Sequence, residues 1–294
     1  MGAAVTGTLT GLKVLDMTDE RAIYGAKLLA DLGAEVLRPQ GAQGDPLCLR
    51  GPFDRAAQES LWYAYFASSR TVVHDADSDP ARLLELIGSA DVLLWCDSPL
   101  TRDLPDPTTL SERFAHLIVI DVSSFGRFGP WQDYLAPDLV AGALGGAAAT
   151  TGDVDTPPLK AFGELNFMVS GVYVAIAALA GVYARSEGGG GQRVGVSVHE
   201  TLVSCLEQVL MFYWYGEAMG RERVLPRRGA LHWSNAYAVL NGVDGSIMVT
   251  PTPNFDRQLV WLIEEGVHDD LIDPKYSEPE NLGPPEGPWR RLRC

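Results

Sequence analysis

One long apolar segment constrains this chain more than any other feature. Residues Met168 to Tyr183 are apolar on every side of a helical wheel and rich in alanine and glycine. A helix that is apolar all round is buried in a protein core or in a membrane. Asn166, just ahead of this segment, and Ser170, Gly171 and Gly181 within it interrupt the apolar pattern. The sequence therefore favours a core helix, enclosed by protein on all sides, over a membrane span.

Short apolar stretches alternate with helical patterns ahead of this segment. Strands are predicted at residues 13–17, 34–38, 71–75, 91–95 and 117–121, and helices at 22–32 and 80–87. Gly33 is placed to close the first helix as its C-cap. Because strand–helix–strand units pair their strands in parallel, the pattern predicts an α/β fold with an open, mostly parallel, Rossmann-like sheet and flanking helices.

The second half of the chain predicts a second, smaller domain. A long helix is predicted at 201–220, and a basic, proline-containing stretch follows it. We therefore predict a large α/β domain over 1–220 and a partial small α+β domain over 221–272, with a hairpin within 236–250. The tail, 273–294, is rich in Pro, Gly and Glu and is predicted to be irregular.

Charge and cysteine spacing exclude several classes of protein. The chain has 23 Lys and Arg against 38 Asp and Glu, a formal net charge of −15, which argues against a nucleic-acid partner. The four cysteines are far apart and indicate reduced thiols in a cytoplasmic protein rather than a metal site. The start of the chain lacks the basic and apolar regions of a signal peptide. The first strand–helix turn lacks GxGxxG, which disfavours an NAD enzyme.

A series of short motifs occurs in a distinctive order along the chain. They are Leu29–Val36, Gly44–Pro46, Phe125-Gly126 with Gly129-Pro130, Gly145–Gly152, Pro157-Pro158 and Gly189–Gln192. Together they resemble the family III CoA transferases (CaiB/BaiF type), the superfamily of formyl-CoA transferase and α-methylacyl-CoA racemase, over roughly residues 10 to 270. The resemblance implies acyl-CoA as substrate, no metal, and an intertwined dimer.

The position of the family's nucleophile is altered. The resemblance implies an Asp that precedes the glycine of the apolar helix and forms a mixed anhydride with the acyl group. Counting without gaps reaches Phe167, and a shift of one reaches Asn166, neither of which can be that nucleophile. Glu164 is the nearest carboxylate, either as a solvated loop residue or as a relocated nucleophile. Pro137 replaces the histidine of the racemase branch, so that acid/base pair is missing too.

The CoA-binding positions are better preserved. The resemblance implies that basic residues after the second strand and before the third contact the phosphates of CoA, here Arg38 and Arg70. The alternative is that each is a solvated surface arginine. A further arginine expected after the fourth strand falls near Ser98. The variant Asp19–Arg21 resembles a subgroup of heteromeric CoA transferases, in which one subunit lacks the nucleophile.

Three hypotheses follow from the sequence. The first is a family III subunit without the catalytic Asp that works with an Asp-bearing paralogue. The second is an active acyl-CoA transferase or racemase-like enzyme that uses a different residue. The third is a non-enzymatic acyl-CoA-binding or structural protein. The chain is expected to be a homodimer or a heteromer, with no nucleic acid and no membrane as partner.

Overall fold

A computed structural model describes most of the first 206 residues and shorter parts of the remainder. The described ranges are 7–56, 58–74, 79–152, 156–206, 213–215, 217–218, 238–249 and 255–266. The chain divides into two compact units, one of 1–145 with 161–205 and the other of 146–160 with 206–294. The predicted domain boundaries at 220 and 272 lie outside the described residues and stay predictions.

The first unit is organised around a six-stranded sheet with the strand order β3-β2-β1-β4-β5-β6. The strands are β1 Lys13–Met17, β2 Glu35–Pro39, β3 Thr71–Val73, β4 Val92–Cys96, β5 Ile118–Ser123 and β6 Arg193–Ser197. Every neighbouring pair is parallel, which confirms the predicted α/β class. Residues of β4 and β5 are buried throughout, as expected for parallel strands covered on both faces.

Seven helices in the described part of this unit connect and cover the strands. They are α1 Ile23–Asp31, α2 Leu61–Phe66, α3 Pro80–Ser89, α4 Pro107–Arg113, α5 Asp138–Leu144, α6 Leu165–Ser186 and α7 Val198–Ser204. Asp79 and Asp106 begin α3 and α4 by accepting hydrogen bonds from backbone N–H groups of the first turn. The predicted helix over 201–220 is wrong at 205–206, which form a turn, and 207–212 lie outside the described residues.

Successive side chains of each strand point to opposite faces of the sheet, and so two separate hydrophobic cores form. The side chains of Val14, Leu94 and Ile120 face α1 and α6 in one core. The side chains of Leu15, Leu93 and Val119 face α3 and α4 in the other. Because successive strand residues point to opposite faces, each central strand contributes to both cores.

The apolar helix α6 covers one face of the sheet, where it packs against α1, β5 and β6. Val172 is 38%, Ile176 54% and Tyr183 67% exposed. The prediction that protein encloses this helix on all sides is therefore wrong for the single chain, because a sheet covers only one side of a helix. By length and composition α6 could also cross a membrane, but its contacts are those of a helix that covers a sheet.

Two glycines set the distance between α1 and α6. A Cβ atom added to Gly171 would lie 2.7 Å from the Cβ of Tyr24 and 2.8 Å from the backbone nitrogen of Gly25. A Cβ atom added to Gly25 would lie 2.5 Å from the carbonyl oxygen of Gly171. The two backbones are therefore in contact, and neither position has room for a side chain.

The described parts of the second unit include a hairpin and a helix. Strands β7 Ala238–Asn241 and β8 Ser246–Val249 pair antiparallel, within the predicted hairpin at 236–250. Helix α8 runs from Phe255 to Glu264. A short 3₁₀ turn at Ala148–Thr150 also belongs to this unit.

The contact between α1 and α6 gives a testable prediction. The substitution Gly171→Ala is expected to lower the free energy of unfolding by about 1–3 kcal/mol, because the added methyl group overpacks against backbone. Gly195→Ala is the control, since nothing lies within 4 Å of a Cβ atom there. Urea unfolding of both variants measures the difference, and equal stabilities would contradict the close contact.

Candidate functional site

A cavity opens at the carboxyl ends of β1, β2 and β4. The chain leaves β1 towards β2 and β3 and then crosses to β4 on the other side, so β1 and β4 flank the topological switch point of the sheet. Ligands of open α/β sheets bind at such points. The cavity has a volume of about 490 Å³, large enough for part of a small molecule or cofactor.

Arg38 lines this cavity but is almost completely buried. Its Nε lies 2.6 Å from Asp45 Oδ2 and its Nη1 lies 2.9 Å from Asp16 Oδ2. Its Nη2 donates to the carbonyl oxygen of Thr18 at 3.0 Å. Burial disfavours the charge, but Asp16 and Asp45 outweigh it and raise the pKa of Arg38 above its ordinary value. Three of its five N–H donors are used in these bonds.

Arg70 is buried on the same carboxylate. Its Nε forms an ion pair with Asp16 Oδ2 at 3.0 Å, and its Nη2 donates to the carbonyl oxygen of Ile23 at 2.7 Å. Asp16 itself is fully buried, which alone would raise its pKa. The charges of Arg38 and Arg70 and the hydroxyl of Thr18 outweigh burial and hold the pKa of Asp16 below its usual value.

The two predicted CoA-binding arginines are thus brought together, and neither is a solvated surface residue. Arg38 lines the cavity, whereas Arg70 lies behind it, since it is not among the lining residues. The cavity is also rich in carboxylates: Asp16, Asp19, Glu20, Asp45 and Asp97. Two N–H groups of Arg38 have no partner in the described part of the chain, and these are what it can offer to a phosphate. CoA binding by the two arginines stays a prediction.

The first turn of α6 contains a buried amide and a buried ring, and it contacts a buried carboxylate of α5. Asn166 and Phe167, the two candidates for the nucleophile position, are buried. Asp138 accepts hydrogen bonds from Asn166 Nδ2 at 3.0 Å and from the backbone nitrogen of Phe167 at 3.1 Å. Helix α5 comes close enough that a Cβ atom on Gly142 would lie 2.6 Å from Asn166 Nδ2. This turn of α6 is therefore held to α5 by the side chain of Asn166 and by the backbone of Phe167.

Glu164 directly precedes α6 and is partly buried. Its Oε1 forms an ion pair with Arg50 Nη2, and Arg50 Nη1 lies 3.5 Å from Glu20 Oε1. Its second carboxylate oxygen, Oε2, is buried without a hydrogen-bond partner in the described residues. A negative charge is favoured at the start of a long helix such as α6. Glu164 is therefore ion-paired at the helix N-terminus rather than fully solvated.

The pairing of Asp16 and Asp45 with these arginines, and of Asp138 with the start of α6, was not predicted from the sequence. Asp16 lies within an apolar strand, and a single carboxylate in such a strand indicates a buried charge with a partner. Asp138 follows a proline at the start of a short helix, which offers no signal for its contact with α6. Among the described residues, no group of three or more His, Cys, Asp and Glu is placed to hold a metal ion.

Comparison with known proteins identifies related chains. The model of CoA-transferase family III matches residues 9–278. Succinyl-CoA:mesaconate CoA-transferase of Haloarcula hispanica is 33% identical over 220 residues, 70% of this chain and 56% of that protein. Succinyl-CoA:(R)-benzylsuccinate CoA-transferase subunit BbsE of Thauera aromatica is 31% identical over 267 residues, 87% of this chain and 64% of that protein. The chain thus spans less than two thirds of the length of these relatives.

Solved structures share the fold. The crystal structure of a CAIB/BAIF family protein from Brucella suis has a TM-score of 0.74 at 24% identity. The likeness covers 92% of this chain and 73% of that one. The predicted architecture is confirmed at this level.

The buried charge cluster gives a prediction with a defined pH dependence. Asp16→Asn is expected to cost about 3–5 kcal/mol of unfolding free energy, because two buried arginines lose their shared carboxylate. The folded pKa of Asp16 is lowered, so its stabilisation is complete above its unfolded pKa of about 3.9 and is lost as the pH falls towards the folded value. The variant should therefore lose less stability than wild type over this acid range.

Urea unfolding between pH 3 and pH 7 measures both effects. Asp31→Asn is the control, because the side chain of Asp31 is 44% exposed and an ion pair at the surface is worth at most about 1 kcal/mol. An Asp16→Asn variant as stable as the control would show that the cluster contributes little.

Proposed function

The chain belongs to CoA-transferase family III, and we propose that it is a subunit without the catalytic Asp that acts on acyl-CoA together with an Asp-bearing paralogue. One observation supports the proposal: Asn166 and Phe167, which stand where the resemblance expects the nucleophile, are held by Asp138, the first through its side chain and the second through its backbone nitrogen. A carboxylate nucleophile is what the anhydride mechanism requires at that position. The chain keeps the sheet and the cavity at its switch point, although in this proposal it lacks the carboxylate nucleophile.

A related subunit supports an assembly of two different chains. The Thauera aromatica relative carries the word subunit in its name, and it matches 87% of this chain, against 70% for the Haloarcula hispanica relative. The exposed apolar residues of α6, Val172 and Ile176, also suit burial in an assembly. Assembly with a second copy or with a paralogue stays a prediction, as does the cytoplasmic location.

In this proposal the two chains divide the chemistry. The paralogue supplies the carboxylate that attacks the thioester carbonyl, which forms a mixed anhydride and releases the CoA thiolate. This chain supplies a binding surface at the switch-point cavity, with Arg38 as its charged contact. Exclusion of water by the assembled chains protects the anhydride from hydrolysis.

A second candidate function is transfer by this chain alone with Glu164 as nucleophile. The observation in its favour is the carboxylate at the N-terminus of α6 with one unpartnered oxygen among the described contacts. The ion pair with Arg50 argues against it, because a paired carboxylate is a weaker nucleophile. A non-enzymatic acyl-CoA-binding protein is the third possibility.

The proposal is tested by reconstitution. The purified chain, incubated with acyl-CoA donors, carboxylic acid acceptors and hydroxylamine, is expected to give no CoA transfer and no hydroxamate. When it is co-expressed with an Asp-bearing family III paralogue, we expect a heteromer in light scattering and transfer of CoA. The matched control is the same pair with the paralogue's nucleophile changed from Asp to Asn, which should assemble without turnover.

Two results would decide against a subunit without a nucleophile. One is robust turnover by the isolated chain, and the other is an acyl adduct on it in the mass spectrum. If an adduct appears and Glu164→Gln abolishes it, the second candidate function is correct. Binding of CoA without assembly or turnover under any of these conditions supports the non-enzymatic alternative.

CoA binding can be tested at Ser98, which lines the switch-point cavity at the position where the resemblance expects an arginine. Ser98→Arg is expected to tighten CoA binding about tenfold, since a charge-assisted hydrogen bond to phosphate is worth roughly 1.5–3 kcal/mol. Ser98→Glu should weaken binding, and Ser98→Gln serves as the neutral control. Calorimetric titration measures all three, and identical affinities would remove this cavity from the CoA site.

A further inference from the structure

A second cavity, of about 610 Å³, lies beside the first and shares Asp97 and Ser98 with it. Its lining comes from β4, β5 and β6 and from the segments that follow β4 and β5. At its base is Asp121, a fully buried carboxylate in the middle of β5. The proposed function makes no use of this cavity.

Two arginines hold the buried carboxylate. Arg193 on β6 donates from Nε at 3.1 Å and from Nη2 at 2.5 Å to Asp121 Oδ2. Arg127, in the turn after β5, donates from Nε to both oxygens at 3.1 and 3.0 Å. Arg127 also pairs with Asp97, which in turn accepts from Trp95 Nε1 at 3.1 Å. The carboxylates of Asp97 and Asp121 thus already accept hydrogen bonds from N–H groups of the protein.

The arginines, in contrast, have donors to spare. Among the residues that the structure describes, Arg193 uses two of its five N–H groups. Arg102, exposed at the cavity's rim, has no hydrogen bond or ion pair within the described part of the chain. The third carboxylate in the lining, Asp106, is already bonded to Thr108 and Thr109 at the start of α4. Three arginines and three aspartates balance in formal charge, so an anion would be recognised by free N–H donors rather than by net charge.

Apolar side chains complete the lining. Leu104 is almost buried, whereas Phe128 is 85% exposed at the opening. Guanidinium groups match carboxylates through paired N–H donors, and a cavity of this volume is typical of small-molecule sites. We propose that this second cavity binds a small organic carboxylate, with its carboxylate between Arg102 and Arg193 and its hydrocarbon part against Leu104 and Phe128.

Calorimetric titration of the full chain tests the proposal with hexanoate as the probe and hexanamide as its uncharged counterpart. Hexanoate is expected to bind and hexanamide is not. Arg102→Gln should weaken hexanoate binding tenfold or more, as should Arg193→Gln. The matched control is Arg113→Gln, an exposed arginine of α4 outside the cavity lining, which should bind as wild type does.

Arg102→Gln is the decisive variant, because in the described region Arg102 has no partner whose loss would disturb the fold. Circular dichroism checks whether Arg193→Gln folds. The inference is overturned if hexanoate does not bind to wild type at millimolar concentration, if hexanamide binds equally well, or if Arg102→Gln and Arg113→Gln have the same affinity. None of these readouts depends on CoA transfer, so the outcome is separate from that of the proposed function.

Discussion

The buried carboxylate of Asp16 is the interaction on which the carboxyl edge of this sheet depends. It is shared by Arg38 on β2 and by Arg70 ahead of β3. A buried charge left without its partner is strongly destabilising, so these three residues must meet whenever the protein is folded. Asp45 adds a second carboxylate to Arg38 and fixes the turn after β2. The shape of the switch-point cavity follows from this cluster.

The start of α6 depends on a comparable constraint. Asp138 on α5 binds the side chain of Asn166 and the backbone of Phe167, so the helix is capped by a carboxylate from another element. Gly171, one turn further, lets α1 approach to backbone contact. The resemblance expects a free carboxylate at this place, whereas here Asn166 and Phe167 are buried and serve packing. The proposed loss of the nucleophile is therefore compatible with retention of the scaffold.

Much of the fold could be predicted because its signals are local. Strand β1 has the bounds that its apolar run predicts, and α3 begins at the predicted Pro80. Helices α2, α4 and α5 have six or seven residues each and are absent from the prediction, because so few residues give little periodicity. The site was predictable only in part. Arg38 and Arg70 were identified as basic positions, but a sequence does not reveal that one buried aspartate binds both.

By itself the sequence determined the order of strands and helices and the family motifs, since each is a property of neighbouring residues. Only the tertiary structure decided which charges are paired and which remain available to a ligand. Arg127 and Arg193 look alike in the sequence, yet the first pairs with both Asp97 and Asp121, while the second pairs with Asp121 alone among the described residues and has N–H groups left over there. The physical reason is that pairing depends on distances between elements far apart in the chain, set by strand order and helix packing.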